Sequence, residues 1–323
     1  MSRAQWQAAP TLALLCAATP AHGSGLTVPP ALLGEDPTHP YALPDAPAPP
    51  TLPDLTHRAL AISFENAFAS LKMTTPAGQS GPGRTFAWLE RLEIEHALAI
   101  RRWYLGVAHE MAAGTDPETG RFAVVSGHPE VWGRAVWASR AGLAYGGGLG
   151  LVVPVANRST LSSAHAVALR VRGVRPWDHL DFASETFTLR PFIDVRDIDG
   201  PVILQLRQGI DWARPGTAST ELASRTTIYI GYRPTELVGL GLEAWEEYVI
   251  RAPLPEDDLL RTPNVRDDAR AAYALSPSVR FMTRALQPAI SFLFPIDRPL
   301  FGELDGYWAF RLSLDVVLDP GPD

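Results

Sequence analysis

Ser163, Ala164 and His165 set a hydroxyl and an imidazole two residues apart. In an extended chain, residues i and i+2 share a face, so the pair has the outline of a nucleophile and its base. Such a pair also needs a third group to orient the base. The sequence offers no identifiable one, and Ser163 and His165 are read as the start of a strand after a polar turn. His109-Glu110-Met111-Ala112-Ala113 opens like a zinc-binding helix but lacks the second histidine. The other histidines are scattered without ligand spacing, so no metal site and no cofactor are expected. The Gly146-Gly147-Gly148-Leu149-Gly150 run does not match a phosphate-binding loop. Glu256, Asp257 and Asp258, with Asp267 and Asp268, read as a solvated acidic loop.

Arginine is the residue type whose placement carries a pattern. Val202, Leu204 and Leu206 alternate with Gln205 and Arg207, and Ile228, Ile230 and Tyr232 alternate with Arg225, Thr227 and Arg233. Trp308, Phe310, Leu312, Leu314 and Val316 alternate with Arg311, Ser313 and Asp315. Period two is the signature of a strand with two unlike faces. The polar parity holds thirteen arginines: Arg91, Arg102, Arg140, Arg170, Arg172, Arg190, Arg196, Arg207, Arg225, Arg233, Arg270, Arg280 and Arg311. Nine acids share it: Glu65, Glu93, Glu95, Glu110, Asp194, Asp211, Glu243, Glu247 and Asp315. Guanidinium groups in a row bind carboxylates and lower the barrier for anions in a pore. The same near balance of signs also suits a core of paired side chains, and both readings stand.

The elements that would position these charges are twelve alternating segments, near 60–72, 85–97, 102–112, 135–154, 163–174, 186–197, 201–213, 222–233, 236–249, 268–283, 286–296 and 305–318. Long connections follow the odd segments and short ones the even segments. An up-and-down antiparallel barrel in an outer membrane has this arrangement, with short periplasmic turns, longer outer loops and both ends at the periplasmic side. Trp212, Tyr232, Tyr248, Phe294 and Trp308 fall near segment ends, where interfacial aromatic girdles sit. Pro191 and Pro277 fall inside segments and imply a bulge or a shifted boundary. Asn66 and Glu90 fall on the face assigned to lipid.

The remainder of the chain fits an exported protein. Residues 1–23 combine Arg3, an apolar stretch from Ala9 to Ala18 and Ala21-His22-Gly23, the form of a cleaved signal peptide. Cys16 lies inside it, so the mature chain would hold no cysteine. Residues 24–57, crowded with proline, read as an extended periplasmic leader, 58–318 as the barrel and 319–323 as a periplasmic tail. The 323 residues carry 28 basic and 35 acidic side chains, net −7, which argues against a nucleic-acid partner. No run approaches the roughly 18 uninterrupted apolar residues of a spanning helix.

With its export signal, alternating strands and closing Tyr307–Leu318 segment, the chain resembles bacterial outer-membrane β-barrels of the porin-like kind. The resemblance is one of architecture and implies the outer membrane as location, with lipid, lipopolysaccharide and the assembly machinery as partners. Twelve-stranded members include solute channels, an outer-membrane phospholipase and autotransporter translocators, and fold alone does not choose among them. The expectation is a non-enzymatic channel for small solutes. Arg102, Arg140, Arg170, Arg172, Arg190, Arg207, Arg225, Arg233, Arg280 and Arg311, with Glu110, Asp211, Glu243 and Asp315, would set its selectivity. A barrel with a filled lumen and an outer-membrane lipid hydrolase are the alternatives.

Overall fold

The computed structural model describes residues 60–73, 84–98, 103–116, 119–138, 143–155, 162–183, 185–215, 220–235, 237–251, 270–281, 283, 286–297, 299 and 304–318. The expected signal peptide, the proline-rich leader, the tail, the acidic loop, Arg102 and Arg140 lie outside these residues.

Thirteen strands form in chain order: β1 (Leu60–Met73), β2 (Arg84–Ala97), β3 (Trp103–Thr115), β4 (Phe122–Ser126), β5 (Glu130–Ala138), β6 (Ala144–Val152), β7 (Thr186–Asp199), β8 (Val202–Pro215), β9 (Glu221–Tyr232), β10 (Val238–Arg251), β11 (Ala271–Phe281), β12 (Leu286–Pro295) and β13 (Leu304–Leu318). One α-helix, α1 (Ser163–Val171), and a 3-10 helix, Pro176–Phe182, lie between β6 and β7. Twelve of the strands close an antiparallel barrel. β1 pairs with β13 from Leu60↔Leu318 upward and with β2 from Leu60↔His96, so the two ends of the barrel chain meet at one rim.

The exception to simple closure is β4. β3 pairs with β5 along Trp103–Ala108 and with β4 along Met111–Thr115, so β4 and β5 act as one wall strand broken at Gly127, His128 and Pro129. β6 accompanies β5 only, and among the described residues β4 has no second neighbour.

The barrel turns its apolar face outward. Leu240, Leu312, Ile230, Leu204 and Phe292 are exposed, whereas Arg134, Arg190, Arg280 and Arg311 are among the most deeply buried side chains. This inversion of a soluble protein is what lipid demands: a closed ladder pairs the backbone groups of neighbouring strands, and apolar side chains meet acyl chains. The connections at the rim holding the chain ends are short, 98–102, 139–143, 200–201, 233–237 and 282–285. The tightest uses Gly200 at φ 54°, a conformation glycine adopts without strain. The opposite rim holds the long ones, 153–185 and 252–270, beside shorter ones such as 216–220.

Two of the twelve expected segments are different objects. Segment 135–154 is a hairpin, the end of β5 and the whole of β6, turning across 139–143. Gly146, Gly148 and Gly150 leave the room that β5 needs: a Cβ at Gly148 would meet the Gly133 carbonyl oxygen at 2.5 Å. Segment 163–174 is the helix α1 with its C-terminal turn. Ser162 caps it, its hydroxyl accepting from the His165 amide at 3.1 Å. The buried residues Val167, Ala168 and Val171 follow helical spacing. Reading a hairpin as one strand removed one from the count, and reading a helix as a strand restored it. Pro191 and Pro277 neither end their strands nor bulge them. The ladder lapses at each on one side, toward β8 and β12, and continues on the other, at Leu149↔Pro191 and Leu242↔Pro277.

Candidate functional site

The lumen is built from inward parity. At the rim near the chain ends its side chains are polar and pair across the wall. Arg134 makes a two-toothed contact with Glu95, the Nε bond being 2.8 Å, and Trp132 donates to the same carboxylate at 2.8 Å. Arg207 grips Asp194 at 2.6 and 2.9 Å while lying over the Phe192 ring at 4.4 Å. Arg280 pairs with Asp315 and donates to Gln287. Each is the charge-assisted geometry that arginine favours when desolvated.

Toward the other mouth the wall changes character. Ala67, Ala69 and Leu71 on β1, Ala87 and Leu89 on β2, Leu293 on β12, and Tyr307 and Ala309 on β13 present an apolar inner surface. Residues 162–183 fold inward against it and supply Val167, Val171, Val174, Trp177 and Phe182 to the same core. Burying each of the larger groups contributes about 1.5–3 kcal/mol. Trp177 meets Trp245 of β10 with ring centroids 3.9 Å apart.

Ion pairs fix the insert. Arg175 reaches Glu65 at 3.1 Å, Glu110 at 3.7 Å and Asp178 at 2.6 Å. Asp181 receives Arg190 at 2.8 Å and Arg91 at 3.7 Å. Arg91 is the hub: Glu110 at 2.8 Å, Glu93 at 3.2 Å, Glu130 at 3.7 Å and Asp178 at 3.9 Å surround it. Burial alone would raise the Asp178 carboxyl, but Arg175 and Arg91 outweigh it and hold it down to about 2. The break between β4 and β5 ties in as well. The His128 amide donates to Asp181 O at 2.7 Å. Its Nδ1 accepts from the Val155 amide at 3.2 Å, leaving Nε2 to donate to Ala183 O.

Between insert and wall remains a cavity of about 70 Å³, lined by Arg91, Arg175, Arg207 and Arg225, by Glu93, Glu130 and Asp178, and by aromatic rings that include Trp132, Phe192 and Trp245. Arg207 and Arg225 keep 22% and 18% of their side-chain surface exposed there, while most lumenal charges keep almost none.

The other expected residues fall as follows. Arg190 contacts Glu130 at 3.1 Å and Asp211 at 3.4 Å; Arg225 contacts Asp211 at 2.8 Å and donates to Trp177 O at 3.0 Å. Arg311 binds Glu65 at 2.7 Å, Ser276 at 3.1 Å and approaches Glu243 at 3.8 Å. Arg170 and Arg172 stand on the insert, not on a strand: Arg170 donates to Ala166 O within α1 and Arg172 is its buried C-cap. Arg233 lies past the end of β9, in the turn toward β10. Ser163 and His165 are also helical, so their side chains diverge by about 200° instead of sharing a face. Ser163 Oγ meets Thr119 Oγ1 at 3.3 Å and His165 is buried, which removes them as a nucleophile and base pair.

Arg134, Arg175, Glu130, Asp178 and Asp181 escaped the sequence reading. Arg175, Asp178 and Asp181 lie between segments as those were drawn. The inward run Ala67, Ala69, Leu71 was the available signal, since a water-filled lumen has no use for it.

No protein-family model matches the chain, and no curated protein matches it. Among solved structures it is similar to the COG4313 outer membrane channel from Pseudomonas putida F1, with a TM-score of 0.60 at 11% identity over 84% of this chain and 100% of that one. A KdgM porin in complex with disordered oligogalacturonate gives 0.44 at 11% identity, over 80% of this chain and 99% of that one. LpxR from Salmonella typhimurium gives 0.41 at 10% identity, over 79% and 100%. The first likeness and the closed, outward-apolar sheet define the class: the chain is an outer-membrane β-barrel.

Proposed function

We propose that this barrel is a porin-like, non-enzymatic channel for small solutes, that its lumenal guanidinium groups favour anions, and that residues 162–183 stand in the conduction path. The observation that carries this reading is the cavity beside the insert. Charged side chains line it, four guanidinium groups against three carboxylates, and Arg207 and Arg225 among them keep part of their surface exposed. Arg207 and Arg225 are the selectivity candidates, because their free surfaces face the cavity. Arg91, Arg175, Arg190 and Arg311 are saturated by carboxylates and act as the frame.

Planar-bilayer recording tests this. Anion-selective current is expected, small in the native protein and larger once the insert is displaced. Cation-selective current, or none after displacement, overturns it. The wall-to-wall pairs Glu95 with Arg134 and Arg280 with Asp315 favour the second reading, a filled barrel with a structural or interaction role. Zero conductance from native and insert-free protein alike would establish that reading.

A further inference from the structure

Two rows of polar side chains cross the lipid-facing surface, and they differ in one respect. The first runs through Gln208, Thr226, Glu246 and Tyr273, register partners on β8 to β11. Each of its members has a partner within the row or beside it: Gln208 donates to Ser224 Oγ at 2.8 Å, Thr226 donates to Gln208 at 2.8 Å and Tyr273 donates to Glu246 at 3.3 Å.

The second lies on β1 to β4, through Asn66, Glu90, Met111 and Ser126, again register partners, with His109 beside them. Trp88 Nε1 donates to Asn66 Oδ1 at 2.9 Å, and Ser126 Oγ lies 3.2 Å from His109 Nε2. Glu90 has no hydrogen-bond or ion-pair partner among the described residues, and the Asn66 amide N–H groups are likewise unused. Each is the seventh residue of a fourteen-residue strand, so both sit midway across the membrane. Around them Phe68, Leu92, Val107 and Met111 form an apolar belt.

A carboxylate at that depth is costly, and acyl chains offer it no donor. Glu90 therefore marks a surface covered by protein. We infer that the β1 to β4 face is the contact between two copies of this chain, related by a two-fold axis along the membrane normal. The patch is self-complementary, as an isologous contact requires: it carries one acceptor, the Glu90 carboxylate, and beside it one unused donor, the Asn66 amide. The two-fold gives two such bonds, Asn66 of each copy donating to Glu90 of the other. The inference does not depend on conduction.

The test is cross-linking in native outer membranes. In a Cys16→Ser background, which leaves no other cysteine, Leu92→Cys reports on the patch and Leu240→Cys, on β10, on the rest of the belt. A thiol-reactive cross-linker is expected to yield dimers from Leu92→Cys and none from Leu240→Cys. Glu90→Leu added to Leu92→Cys is expected to lower the dimer yield at least tenfold, while the heat-dependent gel shift of a folded barrel is kept. Should Glu90→Leu not fold, the comparison of the two cysteine positions decides alone. No dimer at Leu92→Cys, equal yields at both positions, or a product containing only another protein overturns the inference.

Discussion

Among the described residues, two regions of the lumen are packed by different means. Near the rim where the chain ends meet, the wall's own side chains do the packing: Asp194 and Arg207 are register partners on β7 and β8, while Glu95 with Arg134 and Arg280 with Asp315 each reach across one intervening strand. At the other mouth a separate piece of chain does it, docked on an apolar patch and held by Arg175, Asp178 and Asp181. The first packing belongs to the barrel and cannot be removed without weakening it. The second is an addition, and the wall is expected to hold without it.

Experiments can break or sharpen that distinction. The largest effect is expected from replacing 163–183 by a short glycine-serine link: a several-fold rise in single-channel conductance with the heat-dependent gel shift retained. Single substitutions in the two regions should then part ways. Arg175→Ala removes the guanidinium that ties Asp178 of the insert to Glu65 of the wall, which keeps Arg311; breaking a buried pair costs about 3–5 kcal/mol, and here that loss falls on docking of the insert. Long-lived open bursts should appear in bilayer recordings with little change in the unfolding temperature. Glu95→Ala breaks the buried two-toothed pair with Arg134 at comparable cost, and the unfolding temperature should fall with no gain in current. Trp245→Ala removes the ring against Trp177, a loss of about 3 kcal/mol for a buried aromatic, and should give brief openings, counted as a higher open probability. The smallest effect on conduction is expected from Arg225→Gln, a shift of reversal potential toward cations under a salt gradient, with a lower unfolding temperature because buried Asp211 loses its 2.8 Å partner and keeps Arg190 at 3.4 Å.

How much of this was legible depends on which constraint acts locally. Strand parity was readable because each outward residue meets lipid whatever its neighbours do: Leu312 and Arg311 declare their faces from one strand alone. The helix was not read from Val167, Leu169 and Val171, because three residues at spacing two fit a strand, and what decides is that Val167, Ala168 and Val171 meet a surface far away in sequence. Ser162 as a cap was the local clue. The hairpin within 135–154 was hidden because β5 and β6 are both apolar on alternate residues, and only Gly142 between them marked the turn. The site residues divide similarly. Arg207, Arg225 and Arg311 lie on strands and could be assigned a side, whereas Arg175, Asp178 and Asp181 lie in a connection whose inward course no periodicity reports.

The join of β1 to β13 brings together residues such as Ser63 and Asp315, 252 positions apart. The entropy of closing so long a loop places that join late in assembly. A helix packed inside β2, β3 and β4 has to be accommodated before this last zipper is drawn, or else enter afterwards through the open mouth. The timing of α1 relative to that stitch thus decides whether a newly made copy leaves the assembly line already corked.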